Sequence, residues 1–197
     1  MEELNVSGVV VGAEDYREAD RIVRILTPDR GVIRAVMRGV KKEKAKLKFA
    51  AMPFSFCEYV LIKRGAYYSV KTASQTESLF GVTSSPDRYV IGSVMLEAAA
   101  AAAGTDSAEI FVELLTALKT LIYSDTDAYS VGLNFVYRLL VLGGHIAAGR
   151  SDGDYNVPVS EQKSLPRGRS ERLLKAYLGL FSDKFCRRLL SAELIGK

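Results

Sequence analysis

Hydrophobic and polar positions alternate along the first eighty residues, and the period then changes. Residues 6–11 form a β-branched run, and residues 20–26 (DRIVRIL) form a second. A TPDRG segment follows, with Pro28 early and Gly31 late, the residue chemistry of a tight reversal. Residues 32–37 then repeat with period two: Ile33, Ala35 and Met37 share one face, and Val32, Arg34 and Val36 share the other. Arg38 extends the Arg34 face, so both guanidiniums are expected to point outward. Residues 54–63 and 67–75 supply a fourth and a fifth strand around an RGA turn. Five short strands in such a stretch predict a small barrel, and five is the strand number of an OB-fold.

Past residue 80 the spacing becomes helical. Ser85 followed by Pro86 is a helix start, and the helix is expected to run through MLEAAAAAA to Gly104. Asp106 with Glu109 three residues on has the spacing of a capping box, and Ile110, Leu114, Leu118 and Leu121 recur on one face. Asp125 is expected to cap a third helix that stops at Gly143-Gly144. Residues 144–168 show no period and read as a loop, after which residues 170–181 and 184–194 read as two closing helices. Strands followed by helices, without alternation, predict an α+β chain: a five-stranded OB-fold barrel over residues 1–80 and an all-helical domain over residues 81–197.

Charge changes this picture. Between residues 30 and 48 stand eight Lys or Arg against the single acid Glu43, a local net charge of +7 in a chain whose total is +4. Everything outside that segment therefore sums to −3. Positive side chains attract a phosphate backbone by releasing its condensed counterions, with no need for sequence readout. Arg34 and Arg38 on a strand, followed by Lys41, Lys42, Lys44, Lys46 and Lys48 in a mobile loop, would converge on one face. The dull alternative is a lysine loop that is merely solvated. Aromatic rings lie close by (Phe49, Phe54, Phe56, Tyr59, Tyr67, Tyr68), and bases stack on such rings in single-strand binders. Most of them are expected to fill the barrel, because a small barrel needs bulky inward residues.

Other chemistry finds little support. Two dispersed cysteines, Cys57 and Cys186, with one histidine cannot build a four-ligand zinc site. The stretch DGDYNVPVSEQK superficially resembles a calcium loop, but Val157 and Lys163 occupy its glycine and glutamate positions. His145 follows a helix end and reads as packing or capping, and Cys57 reads as a buried small hydrophobe. No phosphate-binding glycine loop, dinucleotide fingerprint or nucleophile elbow is present. The expectation is a non-enzyme with no cofactor and no metal. No apolar run is long enough to cross a bilayer, and acids stand where a signal peptide would carry bases, so a cytoplasmic location is expected. The last helices mix Arg187, Arg188 and other cations with Leu, Tyr and Phe, a pattern that could hold an acidic peptide with an apolar end or simply close a core.

The order of these pieces resembles the bacterial recombination mediator family RecO. The resemblance rests on VVVGAEDYREADRIVRILTPDRGVIRAVMRGVKKEKAKL, then MPFSFCEYVL, then YVIGSVMLEAA. It implies an OB-fold followed by a helical domain, and a nucleoid-associated role in recombinational repair. Binding of single- and double-stranded DNA, annealing of complementary strands and assistance to RecA are implied with it. So are the partners RecR and the acidic C-terminal tail of single-strand-binding protein. By position, the DNA-contacting strand and loop fall on Arg34, Arg38, Lys41, Lys42, Lys44, Lys46 and Lys48; Arg187 and Arg188 are candidates for the tail peptide. Many relatives carry a four-cysteine zinc motif after the third helix. This chain has LGGHIAAGRSDGDYNVP there, without a cysteine, so zinc is expected to be absent. The rivals are a protein-interaction scaffold without direct DNA binding and an enzyme acting on a phosphorylated small molecule.

Overall fold

A computed structural model describes residues 3–147, 157–158, 161 and 163–196. Five strands run β1 (Glu3–Tyr16), β2 (Asp20–Thr27), β3 (Gly31–Met37), β4 (Ser55–Arg64) and β5 (Tyr67–Ser78). They close into a barrel in the order β1-β2-β3-β5-β4. All pairings are antiparallel except β3 with β5, which pair in parallel through Ala35–Tyr68 and Val36–Ser69. This order, with its single parallel seam, makes the barrel an OB-fold. The alternation read from β3 holds: Ile33, Ala35 and Met37 are buried while Arg34 is exposed.

The barrel core is built mainly from aliphatic side chains, among them Val10, Val23, Ile25 and Leu61, with Tyr59 as its buried aromatic. It also takes residues from outside the strands. Val40 is 5% exposed, Ala50 and Ala51 are buried, and Leu47 and Phe49 pack against the same core. A short 3-10 turn, Phe49–Ala51, is held by the Tyr59 hydroxyl, which donates to the Ala50 carbonyl at 3.0 Å. Burial pushes the Tyr59 phenol far above its ordinary range, so it stays a neutral donor. Cys57 is buried beside it, and burial likewise raises its thiol.

The chain forms two compact units: residues 1–80 with 103–108, and residues 81–102 with 109–197. In the second unit the helices are α1 (Pro86–Ala102), α2 (Ala108–Tyr123), α3 (Ala128–Leu142) and α4 (Arg167–Phe185). Ser85 caps α1 as expected, its hydroxyl accepting from the Arg88 N–H at 3.2 Å. The cap of α3 is Asp127, not Asp125: Thr126 N–H is taken by the Ser124 hydroxyl, and the Asp127 carboxylate accepts from Ser130 N–H at 2.9 Å. The two expected closing helices are also revised. One helix begins at Arg167, with Pro166 before it and requiring no N–H partner, and continues to Phe185. Cys186 then turns left-handed (φ 49°), and residues Leu190–Leu194 make only a 3-10 turn. That turn is pinned by Glu97 of α1, which accepts from the Ser191 N–H and hydroxyl. Of the loop expected over residues 144–168, the described residues before 167 form neither strand nor α-helix, and residues 167–168 belong to α4; the DGDYNVPVSEQK stretch lies for the most part outside the described residues.

Asp127 does more than cap. The same oxygen accepts from the hydroxyls of Ser130 and Ser170, both fully buried. Asp127→Ala should therefore lose a cap and take the acceptor from the buried Ser130 hydroxyl, while Ser170 can still donate to the Arg167 carbonyl at 3.0 Å, a cost of roughly 2–4 kcal/mol. Urea unfolding followed by helical circular dichroism checks this, and Asp127→Asn should recover much of the loss.

Candidate nucleic-acid interface

Strand register fixes the outer wall of the barrel row by row. Gly12, Arg24 and Arg34 are direct partners across β1, β2 and β3. Two rows further along, Tyr16 stands opposite Asp20, with Arg38 just beyond the end of β3. Between these rows lie Ile22 and Val36, themselves partners and only half-buried. Arg24 and Arg34 are like charges set directly opposite, an arrangement that is unfavourable unless each is compensated. Arg34 is compensated by Glu14 at 2.7 Å. Arg24 lies flat over Gly12, where a Cβ would come within 2.3 Å of its guanidinium. Arg24 was not among the residues expected from sequence, because its place beside Arg34 depends on a pairing between strands.

The lysine segment after β3 is anchored to the barrel at both ends. Asp20 accepts from the Gly39 N–H at 2.8 Å, and Lys41 N–H donates to the Ala19 carbonyl at 3.0 Å. Val40 and Leu47 enter the core at either end, so the lysines between them are displayed on a fixed turn. Their side chains are not equivalent. Lys41 pairs with Asp15 at 2.7 Å, and Arg21 pairs with the same carboxylate at 3.1 Å. Lys41 first, and Arg21 after it, hold the Asp15 carboxyl below its usual range. Lys48 turns back to donate to the Glu43 carbonyl at 3.1 Å. The side chains of Lys42, Lys44 and Lys46 are exposed and make no ion pair or hydrogen bond among the described residues. The seven expected residues lie on β3 and the turn that follows it, and Arg34 and Lys41 arrive already paired with acids from β1.

The aromatics separate cleanly. Phe54, Phe56 and Tyr59 are buried, and Phe49 and Tyr68 pack against the barrel core. Tyr67 is 45% exposed, and its hydroxyl accepts from Arg38 at 3.4 Å. Tyr16, unremarked in the sequence, is 37% exposed with the Arg17 guanidinium 5.0 Å from its ring centre. A cleft of about 440 Å³ opens over β1, β4 and β5. It is lined by Asn5, Ser7, Thr72 and Ser74 with Glu58 as its one charged side chain, which does not suit a phosphate.

In the helical unit, Arg187 and Arg188 follow the end of α4 and are exposed. Arg188 is paired with Glu193, and the Arg187 N–H donates to the Ser182 carbonyl. His145 packs edge-on against Phe185, with ring centres 4.8 Å apart. Among the described residues no three His, Cys, Asp or Glu side chains group as metal ligands, and no helix is long and apolar enough to cross a membrane.

A closed OB-fold barrel with a cation-lined turn after its third strand defines the class of the N-terminal unit. Residues 1–79, nearly the whole of that unit, match the family described as Recombination protein O N terminal. The N-terminal unit belongs to this family, and the chain is similar over most of its length to recombination protein O (RecO). It is 30% identical over 148 residues to the DNA repair protein RecO of Streptomyces avermitilis, covering 70% of this chain and 60% of the relative. It is 33% identical over 144 residues to the protein of that name in Bifidobacterium longum subsp. infantis, covering 70% and 59%. A shorter match, 36% over 92 residues, joins it to the RecO of Limosilactobacillus fermentum. The chain thus spans about three fifths of the length of the first two relatives, 60% and 59%.

Proposed function

We propose that this protein is a non-enzymatic DNA-binding recombination mediator that grips the phosphates of single-stranded DNA on the β3 side of its barrel. The observation that carries this reading is the set of three unpartnered lysines, Lys42, Lys44 and Lys46, held on an anchored turn beside Arg38. A merely solvated loop would not need two apolar anchors and a carboxylate cap to fix its direction. Similarity to RecO proteins supports the wider role: annealing complementary strands, binding duplex DNA as well, and assisting RecA on strands coated by single-strand-binding protein. RecR and the tail of single-strand-binding protein are the partners this role calls for, with Arg187 and Arg188 as candidate contacts for the tail. The site of action would be the cytoplasm, at the nucleoid.

Annealing of two complementary oligonucleotides, followed by fluorescence quenching, tests the reading. The protein should accelerate annealing of strands precoated with single-strand-binding protein. Unchanged annealing, together with no oligonucleotide binding at low salt, would favour the scaffold reading instead.

The paired cations make a second prediction. Glu14→Gln with Asp15→Asn should release Arg34 and Lys41 for phosphates. Two added contacts steepen the slope of log affinity against log salt by up to about 1.4 on single strands. A fluorescence anisotropy titration at several salt concentrations reads this directly.

A further inference from the structure

The outer wall of β1, β2 and β3 carries a cleft of about 260 Å³. Its floor is apolar, made by Ile22 and Val36, which are neighbours in register. Tyr16 and Tyr67 both line it and are both substantially exposed. Arg17 and Arg38 complete the rim, one over the Tyr16 ring and the other bonded to the Tyr67 hydroxyl. Asp20 lies in the same cleft, with one carboxylate oxygen taken by the Gly39 N–H.

We propose that this cleft receives a single unstacked nucleobase of the bound strand, placed between Tyr16 and Tyr67 on the Ile22–Val36 floor. The inference rests on the proposed binding of single-stranded DNA and adds where a base, as distinct from the backbone, is held. Three features favour a base over other occupants. A flat apolar floor with aromatic and guanidinium rims suits a π-face, and base stacking on such rings is sequence-tolerant. Asp20 inside the cleft repels phosphate, while Arg17 and Arg38 at its rim attract it, so the ring enters and the backbone stays outside. The lysine turn also follows the cleft directly along the chain, since Arg38 at its rim is succeeded by Gly39, Val40, Lys41 and Lys42.

The backbone at Arg17 supports this assignment. Arg17 has a positive φ of 55°, a conformation that a non-glycine residue adopts at some cost. Glycine would fit that turn better, yet the arginine is present and its guanidinium lies over Tyr16.

The test compares a short labelled oligonucleotide with an otherwise identical strand that lacks its bases, at matched salt. Wild-type protein should bind the base-bearing strand roughly 5- to 160-fold more tightly, the range set by loss of one stacked base. Tyr67→Ala and Tyr16→Ala should each remove most of that difference and leave the salt slope unchanged, because no phosphate contact is lost. Tyr67→Phe should retain it. Equal binding of the two strands by wild type would overturn the base slot while leaving the backbone grip standing. Tyrosine variants that bind both strands as wild type does would also overturn it. A wild type that binds neither strand would overturn both proposals together.

Discussion

Lys42→Glu, Lys44→Glu and Lys46→Glu in one chain should bind single-stranded DNA at least about 100-fold more weakly than wild type at 0.1 M salt. On single strands each phosphate contact contributes roughly 0.7 decade of affinity at that salt, so losing three removes about two decades. Reversing the charges instead of deleting them adds repulsion to the loss. The variant should fold normally, because the three side chains are exposed and unpartnered, and such surface changes usually fall within about 0.5 kcal/mol. Lys41 is deliberately left intact: it belongs to the Asp15 ion pair, and changing it would confuse a binding loss with a rearranged β1–β2 turn. Binding by anisotropy and a urea midpoint measured on the same preparation separate the two effects. Undiminished affinity would remove the mechanism.

Gly31→Ala should be the most damaging single change to the barrel. Gly31 closes the β2–β3 turn at φ +60°, and a Cβ there would sit 2.1 Å from the Gly104 carbonyl oxygen. That oxygen has little room to retreat. It accepts from the Ser107 hydroxyl at 2.9 Å, and the Ser107 N–H in turn binds the Pro28 carbonyl at 2.9 Å. The left-handed backbone costs an alanine about 1–2 kcal/mol, and the steric conflict adds roughly 1–3 kcal/mol more. A loss of that size is a large part of the ~5–15 kcal/mol that a typical domain has in total. Denaturant unfolding should show it as a much lower midpoint, whereas a loss below about 1 kcal/mol would mean that residues 104–107 do not clamp the turn.

The sequence made the barrel legible because its signals are local. Alternation at residues 32–37 named the correct buried face of β3, and the Pro28–Gly31 turn and the Ser85–Pro86 helix start stand where they were expected. Errors came where a choice depended on distant atoms. Asp125 and Asp127 are both plausible caps in the chain, and the choice is settled by Ser170 from a helix forty-three residues away. The break expected after residue 181 did not occur, since Ser182 and Asp183 continue α4 until Cys186 turns left-handed.

The candidate interface was half legible for the same reason. Counting charge over residues 30–48 found the cations but missed Glu14 and Asp15, which β1 brings to Arg34 and Lys41. Arg24, Tyr16 and Arg17 carry no local pattern that marks them out; register across three strands brings them to this wall. Nor could alternation tell Tyr67, which is exposed, from Phe54, which is buried with a left-handed backbone. What looked like a flexible lysine loop is directional because Val40 and Leu47, two unremarkable aliphatics, are drawn into the core.

The most direct test of the central claim is the salt dependence of wild-type binding to a single-stranded oligonucleotide. Of the seven strand and turn cations, Arg34 and Lys41 are held in ion pairs, which leaves five for phosphates. Five contacts predict a slope of log affinity against log salt near about −3.5. A slope close to zero, or one that the triple lysine variant leaves unchanged, would contradict the account.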